Sequence, residues 1–537
     1  NCLNLQEYLY RHSMKKKYVR WTLWTIASPF ILFIILCILI YLPPIQNFLV
    51  DKAAVYASEA TGMNISVGRI SLSFPLNLVV TNVDAASPHN DTLLSVRRLQ
   101  VNVQLLPLLK KQVEVDGISL QGATVNSNDL IHGMKLNGTL GELFISSHGV
   151  ALDPETAIVN KVLLKDTDLS LCLNDTAAAD TAASDTTYWK IILQDIDLQN
   201  VSFALDMPLD SLSLAASLDN AILRDGLIDL HKSAYSLQTF RIKNGRVRYD
   251  SGKPLAADSL PSGLDPSHIA LTDIGVKLDS LYYGGRNMKA IISQFVLKER
   301  SGVEIVSATG RMVSNDKVLR VPSLKLETRD SYLELNAAMD WNALDFKDEG
   351  LVSARLMADI GKPDVVRFMG SMDEKFIRQY PSEPLRIRTG IDGDLNKLKL
   401  TTLTAELPGA LGLFARGELT HLTDSLLRGG DITLEAETKD LKFVSTLAEG
   451  IEIPYGTRLE GKFTMAGTKM GTDLLLMQPE AQAVVAADTI PITVYNDSIS
   501  VADDFKMERA ARLFAKYDLS RDRYEADLAV NHFDLHQ

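Results

Sequence analysis

At 537 residues, 46% apolar and 23% charged, the chain can bury a large core and is not a disordered polymer. Its formal charge is −12; residues 1–20 carry five cations and one anion, which leaves −16 for the remainder. That acidity argues against nucleic acid as a partner and against broad docking on an anionic leaflet.

Residues 1–13 precede Met14-Lys15-Lys16-Lys17, an ordinary start for an exported anchor, and are set aside as upstream translation. Lys15, Lys16, Lys17 and Arg20 close a cytoplasmic tail, 1–20. Behind it, Trp21–Val50 holds no charged side chain. Its centre, Trp21–Leu42, would rise roughly 33 Å as a helix, enough for a hydrocarbon core of about 30 Å. Trp21, Trp24, Phe30, Phe33 and Tyr41 supply aromatic anchors. The cations predict that the N-terminus stays inside and the bulk is exported. A cleaved signal peptide fits less well, because the apolar run is long and ends in Tyr41-Leu42-Pro43-Pro44 rather than small residues.

Between 45 and 62, Ile45, Phe48, Leu49, Val55 and Tyr56 share a helical face, and Gly62 offers a stop. This helix is expected to cap the first strands rather than lie on the bilayer. From Ile65 the apolar period changes to two. In Leu93–Val125, Val101, Val103, Val113, Val115, Ile118, Leu120, Ala123 and Val125 predict strand, turn, strand, strand across a 63–173 β region. Low-complexity Asn174–Thr187 follows, then a second β region over 188–537. Its alternation recurs at 191–205, 274–282, 290–298, 303–312, 319–339, 431–438, 459–465 and 517–533, with Leu333 and Leu335 the cleanest stretch. Short strands about 8–12 residues apart without long helices mean antiparallel β. Amphipathic helices are expected at Lys362–Tyr380, with Met369 and Met372 in its core face, at Asp504–Lys516 and at Leu441–Glu449. Asp250–Ser267 reads as a linker. The alternation at Tyr524–Val530 meets no closing element, which suggests a truncated C-terminus.

Three cysteines, Cys2, Cys37 and Cys172, make neither a disulfide framework nor a metal motif. No nucleophile elbow, phosphate loop or zinc-protease signature occurs. His532 and His536 on a strand would stand roughly 13 Å apart, too far for one metal ion. Asp503-Asp504 fits a helix cap. The triplets at Asp175 and Asp180 are similar to an O-glycosylation acceptor motif of exported Bacteroidetes proteins. The expectation is no enzyme, no cofactor and no metal.

The tail and anchor, Leu42-Pro43-Pro44-Ile45-Gln46, Gly62–Ile70 and Phe74-Pro75-Leu76 resemble the N-terminus of AsmA-like proteins. Asp91–Leu94, Leu105–Leu109 and Val113–Val125 are similar to the TamB (translocation and assembly module) branch. The specific likeness covers Lys15–Val125. It implies an inner-membrane protein of a Gram-negative envelope whose periplasmic part is a long, curled, antiparallel β-sheet with an apolar groove. It also implies phospholipid transport between membranes, and outer-membrane protein assembly with a partner β-barrel. TamB proteins are longer and end in a distinctive domain that this sequence lacks.

An alternating sheet must cover its apolar face. Two sheets can close as a sandwich, which would make a structural scaffold, or one can curl into a trough that acyl chains fill. In the trough reading the lining is Val101, Val103, Val113, Val115, Leu333, Leu335, Leu528 and Val530. A diverged surface enzyme is the third, weakest alternative.

Overall fold

The computed structural model describes Lys52–Asn531, apart from residues 53, 56–57, 60, 74–76, 88–91, 105–114, 128–133, 153–154, 175–187, 253–262, 346–349, 371–372, 447–455, 480–492, 496–497 and 501–506. No helix among the described residues is long and apolar enough to cross a membrane. Trp21–Leu42 and its flanking cations lie outside them, as do Val113, Met372, Asp503-Asp504, His532 and His536. The chain forms two compact units, 1–175 and 176–537, divided inside the low-complexity stretch.

The described residues from Lys52 to Thr61 are helical, and Gly62, at φ 69°, ends the run. Ser58 Oγ accepts from the Ile65 amide at 3.0 Å and ties this helix to the first strand. Six strands follow in the first unit: Asn64–Ser73, Asn77–Ala86, Thr92–Val103, Val115–Asn126, Met134–Leu152 and Glu155–Leu173. Each pairs antiparallel with the next. Directly paired residues share a face, so the ladders assemble side-chain rows across all six. One row is Ile70, Val80, Leu99, Leu120, Leu143 and Leu164; another is Leu72, Leu78, Val101, Ile118, Ile145 and Val162.

These strands are longer than the expected short ones, reaching 19 residues. The difference has a local cause. One break in alternation is shared by all six strands, where the step between residues of one face is three instead of two: Val67 to Ile70, Val80 to Val83, Val96 to Leu99, Leu120 to Ala123, Leu140 to Leu143 and, with a threonine at the end, Leu164 to Thr167. In sequence such a break reads as a turn. In the sheet the break falls at the same level in every strand, at Gly68, Asn82, Arg97, Gly122, Gly141 and Asp166, so register survives on both sides. On alternate strands Asn82, Gly122 and Asp166 take φ of 52°, 61° and 49°. Left-handed backbone of this kind kinks a strand and increases its twist.

The second unit continues the antiparallel pattern from Lys190–Met207 and Leu212–Asp229 to Met507–Asp518 and Arg523–Val530. Asp504–Lys516, expected as a helix, is instead the strand Met507–Asp518, paired along Lys469–Pro479. Its apolar residues fit both periods, and Ala511, Leu513, Ala515 and Tyr517 settle opposite Leu476, Leu474, Thr472 and Met470. Tertiary pairing overrides the local preference. Lys362–Tyr380 forms two helices, Lys362–Met369 and Glu374–Gln379, interrupted at Gly370, φ 76°. Met369, expected in the core, is 45% exposed, because the interruption turns the end of the first helix outward. Lys442–Ser445 is a single helical turn.

Asp364, 1% exposed, anchors the first of these helices. It accepts from Thr328 Oγ1, from Ser331 Oγ at 2.6 Å and from Arg367 Nη1 at 3.0 Å. Asp364→Ala leaves the Thr328 and Ser331 hydroxyls short of an acceptor and Arg367 with Asp330 alone, 2.8 Å away. It is expected to cost about 3 kcal/mol, read as a lower denaturant midpoint, with Asp364→Asn intermediate.

Candidate apolar trough

Every described strand of the second unit from Val318 onward presents one uncharged face. Leu335 stands opposite Leu324 on one side and Leu356 on the other. The row continues through Thr389, Leu403, Ala415, Leu434, Gly461, Leu474, Leu513 and Leu528. Leu333 heads a parallel row through Ala358, Ile387, Ala405, Leu413, Ala436, Leu459, Leu476, Ala511 and Val530. Where the alternation slips, a bulge restores it: Leu400 and Leu403 both reach this face because an irregularity between them takes up the extra residue.

The opposite face is polar and stitched by cross-strand ion pairs, including Arg388–Asp359 at 2.6 Å, Lys462–Asp431 at 3.5 Å and a bidentate Arg512–Asp473 pair at 2.8 and 2.6 Å. The Arg512 hydrogen bond, and then its charge, hold the Asp473 carboxyl below its ordinary range. Lys298, bonded to Asp273 at 2.8 Å, does the same for that carboxyl. Such exposed pairs contribute little stability individually, but they keep charge off the apolar face.

Two closed clusters sit at opposite strand ends and form the lips of the face. At one lip, Phe376, Tyr380, Leu407, Ala410, Leu441 and Phe443 pack together, with Phe376 and Phe443 rings edge-on at 5.8 Å. At the other, Ala343, Val352 and Leu395 are buried against Met339, Ile391, Leu398 and Leu422. Between them Leu333 and Leu335 are only half-buried. A separate hairpin, Thr493–Tyr495 with Ser498–Ser500, approaches Leu411–Thr420 and Gly429–Thr438, where Ala415 and Ala436 are buried on the uncharged face and Phe414 on the opposite one. Elsewhere on the face Phe463 stays open, 45% exposed.

Of the expected lining residues, Val101 and Val103 are half-buried on the first unit's apolar face, paired with Ile118 and Val115. Leu528 and Val530 pair with Leu513 and Ala511 on the uncharged face of the second unit but lie on its last described strand, 62% and 54% exposed. Partners on one side alone leave them open to water. Sequence reading missed the strands Leu351–Ile360, Leu385–Asp394, Lys397–Leu407 and Leu411–Thr420, whose faces hold small residues and bulges instead of clean alternation. The Ala354–Ala358 spacing and the Leu398–Leu400, Leu403–Ala405 steps were the available signals.

Glu437 is a buried carboxyl at the first lip, 3% exposed, and its Oε2 has no hydrogen-bond partner. Burial pushes its pKa above the model-peptide value of 4.5, against the lowering pull of Arg458 and Lys439. The folded state therefore favours the protonated acid. Stability from this group is present in acid and lost as pH rises through the raised pKa. Glu437→Gln is expected to raise the unfolding midpoint at pH 7, by on the order of 1 kcal/mol, and to change little in acid. Denaturant titrations at the two pH values measure it.

Fold and site together define an antiparallel β-protein whose second unit carries, on its described strands from Val318 onward, an uncharged face flanked by two packed clusters. Among the described residues no group of three or more His, Cys, Asp or Glu side chains could hold a metal ion. No family model matches this chain, and no curated protein matches it.

Proposed function

We propose that this is a non-enzymatic envelope-biogenesis protein, held in the inner membrane of a Gram-negative bacterium by Trp21–Leu42. Its β-region is a curled trough that carries phospholipid between membranes, in support of outer-membrane assembly with a β-barrel partner. The observation that carries the reading is the uncharged face from Leu333 and Leu335 to Leu513, whose leucines are only half-buried while Ala358, Ala415 and Ala436 between them are buried. Folding normally hides a surface of that extent, and exposed contiguous apolar patches mark interaction sites. Acyl chains suit it because each methylene removed from water gains about 0.8 kcal/mol without a specific partner. Headgroups remain hydrated at the opening, so no residue of the lining needs to be charged. The likeness of Lys15–Val125 to AsmA-like proteins of the TamB branch supports the same assignment.

Lipid extraction and mass spectrometry of the full chain, purified in mild detergent, test it. Phospholipid retained in amounts that exceed an anchor-only segment is the expected result. A folded chain with no excess lipid would instead assign it as a scaffold.

A further inference from the structure

Four neighbouring turns at the lip that holds Leu395 are joined into one ridge. The Leu422 amide donates to Leu395 O at 2.7 Å, and the Gly467 amide donates to Arg428 O at 2.7 Å. Arg428 Nε returns a bond to Gly467 O at 2.9 Å, and the Leu519 amide donates to Thr468 O at 3.0 Å. At the ridge crest Leu426 and Leu427 are 77% and 64% exposed, with Leu519 and Tyr524 at 41% and 83%. Single exposed leucines are ordinary on protein surfaces, but adjacent ones on a braced turn are not.

The turn is rigid, since Asp424 Oδ1 accepts from the amides of Leu426 and Leu427 at 2.8 and 3.2 Å. The other ridge carboxylates are also engaged. Asp518 accepts from Ser520 and Thr468, and Asp522 accepts from the Tyr517 hydroxyl at 2.7 Å. Three cations share the ridge with them: Lys469 and Arg523 stand directly opposite Asp518 on its two neighbouring strands, and Arg521 lies near enough to act on its charge. None of the three makes a close ion pair among the described residues, unlike Lys397, Lys462 and Arg512 nearby. Apolar tips, tyrosines and cations at one level are the composition of a membrane–water interface.

We infer that this ridge docks on a phospholipid bilayer, with Leu426 and Leu427 inserted among the acyl chains and Lys469, Arg521 and Arg523 at the phosphates. The acidic chain as a whole repels an anionic surface. The ridge is less acidic than the rest because Lys469, Arg521 and Arg523 offset Asp424, Asp518 and Asp522, which keep their charge. The inference stands on these turns and does not require lipid in the trough.

The test uses the full chain with Cys2, Cys37 and Cys172 changed to Ser, carrying Leu426→Cys or Leu209→Cys labelled with an environment-sensitive fluorophore. Leu209, 62% exposed, belongs to the opposite lip. The protein is reconstituted with vesicles of phosphatidylcholine and phosphatidylglycerol that contain tail-labelled quencher lipid. Quenching at position 426 is expected to exceed that at 209 by about threefold, and to fall when Lys469, Arg521 and Arg523 become Glu. Equal quenching at both positions overturns the inference. So does a 426 probe that is shielded from water yet untouched by the lipid quencher, which would mean a protein contact.

Discussion

Leu333→Asp combined with Leu335→Asp is expected to remove copurifying phospholipid by about tenfold or more while the strand signal in circular dichroism persists. Each carboxylate would stand in the middle of the apolar face, with Leu324, Leu326, Leu356 and Ala358 as its cross-strand neighbours. An ion placed against acyl chains meets no compensating donor, and the lipid is displaced by water that can solvate it. Both positions are half-buried rather than sealed, so in lipid-free protein the charges reach water and the fold survives. Met357→Asp is the matched control. It adds the same charge on the polar face, opposite Glu334 and Arg388, where the side chain is already 37% exposed. Lipid retained by the folded double variant would remove the trough as the binding site. The milder Leu335→Gln guards against unfolding, since it carries polarity without charge.

The second large effect concerns the aligned kinks of the first unit. A Cβ added at Gly141 would lie 2.8 Å from Asp166 Cβ and 2.9 Å from two carbonyl oxygens, those of Lys165 and Asp166. Backbone atoms cannot swing aside, so Gly141→Val must shift one strand against the next. A loss of about 3 kcal/mol is expected, with early unfolding of residues 64–173 seen by limited proteolysis or hydrogen exchange. Asp166→Gly should move the other way. Asp166 holds φ at 49°, which glycine adopts without the steric cost an L side chain bears, so a gain of about 0.5–1 kcal/mol is expected. If both variants melt together with the parent, the kink row is not a structural requirement.

These two predictions draw on different kinds of information. That Leu333 and Leu335 share a face with Ala337 and Met339 is legible in period two, and so is the antiparallel class. The kink row is not legible in one strand at a time. Val96-Arg97-Arg98-Leu99 looks like the end of one short strand and the start of another. Only when Gly122 and Asn82 stand beside Arg97 does the break become a lateral feature that six strands accommodate together. The same blindness turned Met507–Asp518 into a helix, because Met507, Ala511 and Phe514 satisfy a 3.6-residue period as well as Ala511, Leu513 and Ala515 satisfy two. Pairing with Lys469–Pro479 decides between them.

By itself, the sequence determined the alternation, the absence of catalytic spacing and the uncharged composition of one side-chain set, since these depend only on the order of residues. Register, the bulges that keep Leu400 and Leu403 on one side, and the closure of the lips by Phe376 and Ala343 were decided by tertiary structure. A strand's partners lie far away in the chain, and which face stays open depends on what packs at its ends. Half-burial of Leu335 is a property of that whole arrangement, not of leucine.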